Sequence, residues 1–403
     1  MFKFIGDKKG TIFMIVMILT MLMVLIAVAG SNMLLQDMHT VQYLRYNTEA
    51  QHIAEAGINV AVATLADDFD LSVFPLNAGL GDGEYNVTVT QADGRILLTS
   101  VGTLTQGPGG AKNISKTAAA EVEDLTPSAM NYIMSAGNNV RIRAGFASLT
   151  DINGSIHGNN NVQLRTGLLL GFMDVSETAT YTTDDDTQVY IRVGWLSWIN
   201  VDGVQYSGGH DAHHDWNHAA VNFPEFDYGY YRDQAIDSGD YYAGDQIFDD
   251  KTLNPANGVV YVEGTATFHG TNHLYGGLMA DEIVVEDVRT GWFSRREGKL
   301  QQHKAGDKNV IVSRSGDIRI GYGKSGWVSL RGELEAEEAL IYAESDFVVL
   351  ETGARVDVNG VIIAGSGDIN LWEFFAYITY THAMPVVKFG PDVDLARIVS
   401  WNR

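Results

Sequence analysis

The sequence predicts an α+β protein that is mainly β: one long N-terminal helix, a small antiparallel sheet, then a parallel β-helix forming the rest of the chain. Three observations carry this. An apolar run from Thr11 flows into an amphipathic stripe, with neither Gly nor Pro between Gly30 and Gly57. A period-two segment then folds back across an Asp93-Gly94 turn signal. From about Met130 onward short apolar strands alternate with Gly, Asn and Asp, and no helix-length pattern interrupts them.

The helix comes first. "TIFMIVMILTMLMVLIAVAG" is apolar all round and long enough to cross a bilayer, which takes roughly 20 residues. Beyond it Leu34, Met38, Val41, Leu44, Ile53, Ile58, Ala61 and Leu65 recur mostly every three to five residues, leaving one apolar stripe. One helix from Thr11 to Leu65 accounts for both halves and would be roughly 80 Å long at about 1.5 Å per residue.

Three readings of its head stand side by side. Lys8 and Lys9 followed by Ala27-Val28-Ala29 fit a cleaved secretory signal peptide. The same run fits an uncleaved membrane anchor. A short basic leader ending at Gly10, cut before Thr11, would leave the apolar segment on the mature chain. Helix continuity past Gly30 favours a segment that is retained.

The small sheet follows an irregular connection, Asp67 to Leu80. In "GEYNVTVTQADGRILLTSVGTL" Tyr85, Val87 and Val89 alternate with Asn86, Thr88 and Thr90, and Ile96 to Leu104 returns. "KTAAAEVEDL" supplies a third strand. In the remaining region a turn after nearly every short strand suits a parallel β-helix, whose coils stack about 4.8 Å apart.

Composition bounds the function. The chain has 403 residues, no cysteine and a formal net charge of −23. Disulfides, thiolate metal sites and cysteine nucleophiles are excluded. The charge argues against nucleic acid as a partner, because phosphate backbones need clustered Lys and Arg.

Candidate chemistry is sparse. "GGHDAHHDWNHAAVNF" gathers His210, His213, His214 and His218 with Asp211 and Asp215, residue types that ligate a divalent metal. In a helix His210 and His214 would share a face, as would His214 and His218. A solvated polar excursion explains the same residues without metal. Asp184, Asp185 and Asp186 could hold calcium, but no Arg or Lys accompanies them, and a solvated acidic turn suffices. "GYGKSG", Gly321 to Gly326, lacks phosphate-loop spacing. Trp195, Trp198, Tyr228, Tyr230, Tyr231, Tyr241 and Tyr242 could bind a sugar or partner, or cover the end of the β-helix.

"KKG", the apolar run and "NTEAQHIAEAGINVAVATL" resemble the N-terminus of PilX-type minor pilins and related type IV prepilin-like proteins, with "AEAG" at Ala54 to Gly57 the most recognisable piece. "FPEFDYGYYRDQA", "GDYYAGDQIFDD", "GVVYVEGTATFHG", "ITYTHAMP" and "IVSWNR" resemble the β-helical ectodomains borne by such helices. The resemblance implies a pilin-like helix processed at Lys8, Lys9, Gly10 and Thr11. Prepilin peptidase would cut after Gly10 and the new amine of Thr11 would be methylated. The domains are then residues 1–10 as leader, 11–66 as transmembrane and assembly helix, 67–128 as small sheet, 129–385 as ectodomain and 386–403 as a terminal segment.

The resemblance further implies other pilin subunits as partners, an inner-membrane location before assembly and a pilus or cell-surface location afterwards. An ectodomain too bulky to repeat along a dense filament suits adhesion to a surface or glycan, a role that is recognitional and not catalytic, with no cofactor beyond a divalent metal at the histidines. Major pilins carry Glu at the fifth mature position, where it neutralises a neighbour's amine. This chain has Ile15 there, which suits a tip or initiating subunit and equally suits a chain that enters no filament. A membrane-tethered polysaccharide-degrading enzyme and a type II secretion pseudopilin are the alternatives.

Overall fold

The computed structural model describes residues 8–67, 71–92, 95–104, 113–167, 169–180, 189–214, 216, 221–289, 295–304, 308–321, 332–352, 355–374, 377–383, 385, 387, 389 and 396–402. Asp93-Gly94, Asp184 to Asp186, Asp215, His218 and Tyr322 to Gly326 therefore lie outside the described residues. The chain divides into two units. One comprises Met1–Leu125 with Asp394–Arg403, and the other Thr126–Val393.

The first unit is built on a single helix, Lys8–Asp67, of 60 residues. At about 1.5 Å per residue it is roughly 90 Å long. Its two halves behave differently. From Phe13 to Leu44 the large apolar side chains are exposed, with Met23 at 68% and Leu34 at 66%. The most apolar stretch has a mean hydropathy of 2.8 and none of it is buried within the chain. The Thr20 hydroxyl donates to the Val16 carbonyl at 2.8 Å, so this polar group is satisfied inside the helix without water. In the second half Ala50, Ile53, Ala54, Ile58, Ala61 and Leu65 are buried, a stripe at three- and four-residue spacing.

That stripe packs on a five-stranded sheet, its core completed by Tyr85, Val87, Leu98, Leu104, Ala118, Ala120 and Val122. The strands Leu76–Leu80, Gly83–Ala92, Arg95–Leu104, Ile114–Asp124 and Ala396–Asn402 are paired antiparallel in that order. Small residues let helix and sheet approach. A Cβ on Gly102 would lie 2.4 Å from the Ala50 carbonyl oxygen and 2.5 Å from the Ala54 nitrogen. Ala54 and Gly57 of "AEAG" sit at this seam, and a Cβ on Gly57 would meet the Ser100 Oγ at 2.4 Å.

Two expectations are corrected here. Leu76–Leu80 is a strand, not irregular chain. Its residues are mostly exposed, so no apolar alternation marks it, and backbone pairing with Gly83–Val87 recruits it. Ala396–Asn402 does not stand apart as a terminal segment. It is the fifth strand, with Trp401 opposite Ala120. The second unit is thus inserted between the fourth and fifth strands of this sheet.

In the second unit the chain passes repeatedly between two sheets. One has 10 strands and, among its described strands, all pair parallel except Asp211–His214, which turns back on Val189–Arg192. The other has 15 strands, in which Leu196–Val201 pairs antiparallel with Val204–Ser207. Inward side chains from both sheets make one core. Ile318, Phe347, Ile369, Val140, Val162 and Val189 form a single column through it, each in register with the next and each fully buried.

The column shows that stacking order is not chain order. The chain starts beside Asn139–Ala144, builds outward to Val189–Arg192, and then moves to the opposite pole at Gln246–Asp249. From there it winds back until Ile369–Phe374 lies against Asn139–Ala144. Both ends of the unit are therefore at the middle of the stack.

Polar side chains set this register at one corner. Asp346 accepts from the Asp368 backbone N–H at 2.8 Å, Asp368 from that of Asn139 at 3.0 Å, and Asn161 donates to Asn139 at 3.2 Å. Each group satisfies the next turn's corner, where main-chain pairing lapses.

A helix interrupts the strands where none was expected. Tyr228–Ser238 is capped by Asp227, whose carboxylate accepts from the Tyr230 N–H at 3.0 Å, and ends at left-handed Gly239 with φ 82°. Only Tyr231 and Ala235 are buried, so its apolar face is too narrow to read from periodicity.

Candidate functional site

The residues expected to direct processing, Lys8, Lys9, Gly10 and Thr11, lie in the first turn of the long helix. Of the candidate metal ligands, His210 and His214 come together, His213 does not, and His218 lies outside the described residues. His213 and His214 are on the strand Asp211–His214, so they face opposite ways and the helical spacing does not apply. His214 stacks against His210 at 5.8 Å and Trp216 at 5.0 Å, with Tyr206 4.7 Å from His210. These rings cover one pole of the stack. His213 lies on the other side of its strand, 4.7 Å from Tyr190. No group of three His, Asp or Glu that could hold a metal exists among the described residues.

The aromatic residues also divide. Tyr231 is buried, Tyr241 stacks on Tyr261 at 6.2 Å and Tyr242 meets Phe248 edge-on at 5.6 Å, so all three pack near the far pole. Trp198 pairs with Phe172 at 5.5 Å, whereas Trp195 is 79% exposed. Tyr228 and Tyr230 lie on the short helix. Burial, then the nearby Glu344, pushes the Tyr228 phenol up to about 12.

Two outward faces carry charge. On the 15-stranded sheet Lys299 sits 3.0 Å from both Glu333 and Glu335, and Gln301 also donates to Glu335. Burial opposes both charges, but the ion pairs and hydrogen bonds outweigh it: Lys299 is held above its usual range and Glu335 below its own. Asp317 is likewise opposed by burial, yet Arg319 and the Asp346 N–H bring it below its ordinary value.

Carboxylates lowered by folding stabilise the protein above their unfolded values, here 4.5 for Glu335 and 3.8 for Asp317, and lose that contribution as pH falls through the folded values. Melting temperature is therefore expected to drop steeply as pH is lowered below about 4.5. Lys299→Met should lower it at neutral pH and flatten the acid slope. Thermal melts from neutral down to about pH 3 check this.

On the 10-stranded sheet the outward register places Trp372, Arg143, Arg165 and Arg192 side by side, with Asn370, Arg141, Gln163 and Tyr190 in the adjacent column. Arg141 pairs with Asp368, and Arg192 with Asp211 at 3.8 Å. Arg143 lies over the Trp372 ring at 4.8 Å and Arg165 over the Tyr190 ring at 4.9 Å. Sequence reading missed this face. Its residues are scattered from 141 to 372 and become neighbours only through stacking.

No family model matches the sequence, and no curated protein matches it. Among solved structures, the chain is similar to the competence-associated pilin ComZ from Thermus thermophilus at 12% identity, over 88% of this chain and 97% of that one, with a TM-score of 0.24. At that TM-score the likeness carries no inference.

Proposed function

We propose that this chain is a minor, type IV pilin-like subunit, held in the inner membrane by its long helix before assembly and joined to other pilin helices by the same surface afterwards. The observation that carries the reading is the division of that helix. Its second half is buried on its own sheet, while Phe13 to Leu44 leaves its apolar surface uncovered by the chain. Uncovered apolar surface on this scale needs lipid or sister helices.

The second unit, with its strands alternating between two largely parallel sheets, supports a β-helical reading and supplies the part displayed outside the cell. The role is structural and recognitional, through adhesion to a surface. Ile15 in place of a carboxylate favours a tip or initiating position, where no neighbour's amine needs neutralising.

Processing tests this. Coexpression with a prepilin peptidase is expected to yield a membrane-retained chain starting at Thr11, and Gly10→Val should leave the leader in place. N-terminal sequencing and fractionation read both. A chain released from membranes and starting at Gly30 would overturn the proposal.

A further inference from the structure

The structure assigns an acidic-polysaccharide site to the Arg143–Arg165 face of the second unit. This deepens the adhesion reading above, on which its biological setting rests, by naming the chemistry of the ligand. In a chain of net charge −23, two guanidinium groups stand on adjacent strands of one sheet, directly in register. Neighbouring strands are about 4.8 Å apart, so the two cations repel. Among the described residues neither has a carboxylate at ion-pair distance, although Arg141 and Arg192 beside them do. The Nε of Arg165 is shut off from solvent with no hydrogen-bond partner among the described residues. Each guanidinium instead lies over a ring, Arg143 over Trp372 and Arg165 over Tyr190. Their remaining N–H donors are thereby oriented while the charge is left uncompensated.

The site is concave. A cavity of about 330 Å³ is lined by Arg141, Arg143, Gln163, Arg165, Asn370 and Trp372. Trp372 is 45% exposed beside it. The set matches a carboxylated sugar chain: carboxylates take guanidinium forks, hydroxyls take the amides of Gln163 and Asn370, and the apolar face of a ring lies on Trp372. A nucleic-acid strand fits less well. It carries a phosphate at every nucleotide and needs a basic groove tracking several of them, whereas here the neighbouring Arg141 and Arg192 are already paired with Asp368 and Asp211.

The test is titration of the full chain in neutral detergent with an oligogalacturonate, the same oligomer methyl-esterified, and a single-stranded oligonucleotide. The oligogalacturonate is expected to bind, with the esterified form at least about tenfold weaker. Arg143→Gln with Arg165→Gln should weaken binding at least about tenfold with the melting temperature retained, and Trp372→Ala several-fold. Arg232→Gln, whose side chain pairs with Glu263 at 2.9 Å elsewhere, should change nothing. No binding, equal binding by the double variant, or tighter binding of the oligonucleotide would each overturn the assignment. Any of these leaves the processing experiment untouched, so failure of the site and failure of the pilin-like role are told apart.

Discussion

Gly102→Val is expected to break the seat of the long helix on its sheet. The added Cβ would fall 2.4 Å from the Ala50 carbonyl oxygen and 2.5 Å from the Ala54 nitrogen. Both are helix backbone atoms, so no side chain can swing aside. Either the helix lifts from Tyr85, Leu98 and Ala118, or the strand Arg95–Leu104 gives way. Forced overpacking of this kind costs about 3 kcal/mol, a melting shift on the order of 10 °C. Gly30 in the same helix is the control, since a Cβ there meets nothing within 4 Å and Gly30→Ala should be neutral or slightly stabilising. Calorimetry of the two variants in detergent decides. A Gly102→Val protein as stable as its parent would mean that the helix does not pack where it is placed.

The second large effect is expected from Phe347→Ala. Phe347 is fully buried, with Ile318 on one side and Ile369 on the other in the central column. Removing the ring leaves a void between stacked strands that parallel pairing prevents from closing, at a cost of about 3 to 5 kcal/mol. The damage should spread unevenly. Ile369 is the next step in the column and rests on Val140, the joint between the last turn of chain and the first. Hydrogen exchange is expected to accelerate most in Ile369–Phe374 and Asn139–Ala144. Uniform acceleration across the unit, or none, would contradict the stacking order described here.

Much of the fold was written locally. A run with no Gly or Pro from Ser31 to Ala56 can hardly be other than helix, and Tyr85, Val87 and Val89 declare a strand. What sequence did not disclose was long-range pairing. In sequence Ala396–Asn402 is part of a terminal segment, and only its partner Ile114–Asp124, distant in the chain, gives it a place as a strand. Similar apolar turns of chain can stack on one another in many orders. The choice is made by corner groups such as Asp368 and Asn139, which look like ordinary turn residues. The histidines needed the strand to be placed. Spacing of four suggests a shared helical face for His210 and His214; they do meet, but along a strand, whose alternation sends His213 to the other side. The arginine face was hidden because Arg143, Arg165 and Trp372 are neighbours in space alone.

The inserted unit begins and finishes at its own midpoint, so neither of its extremities carries the chain's passage to the five-stranded sheet. A duplication that lengthened either extremity would not disturb the two strands through which the unit is attached, Ile114–Asp124 and Ala396–Asn402. Such an architecture lets the inserted unit change size across evolution while the five-stranded sheet stays constant.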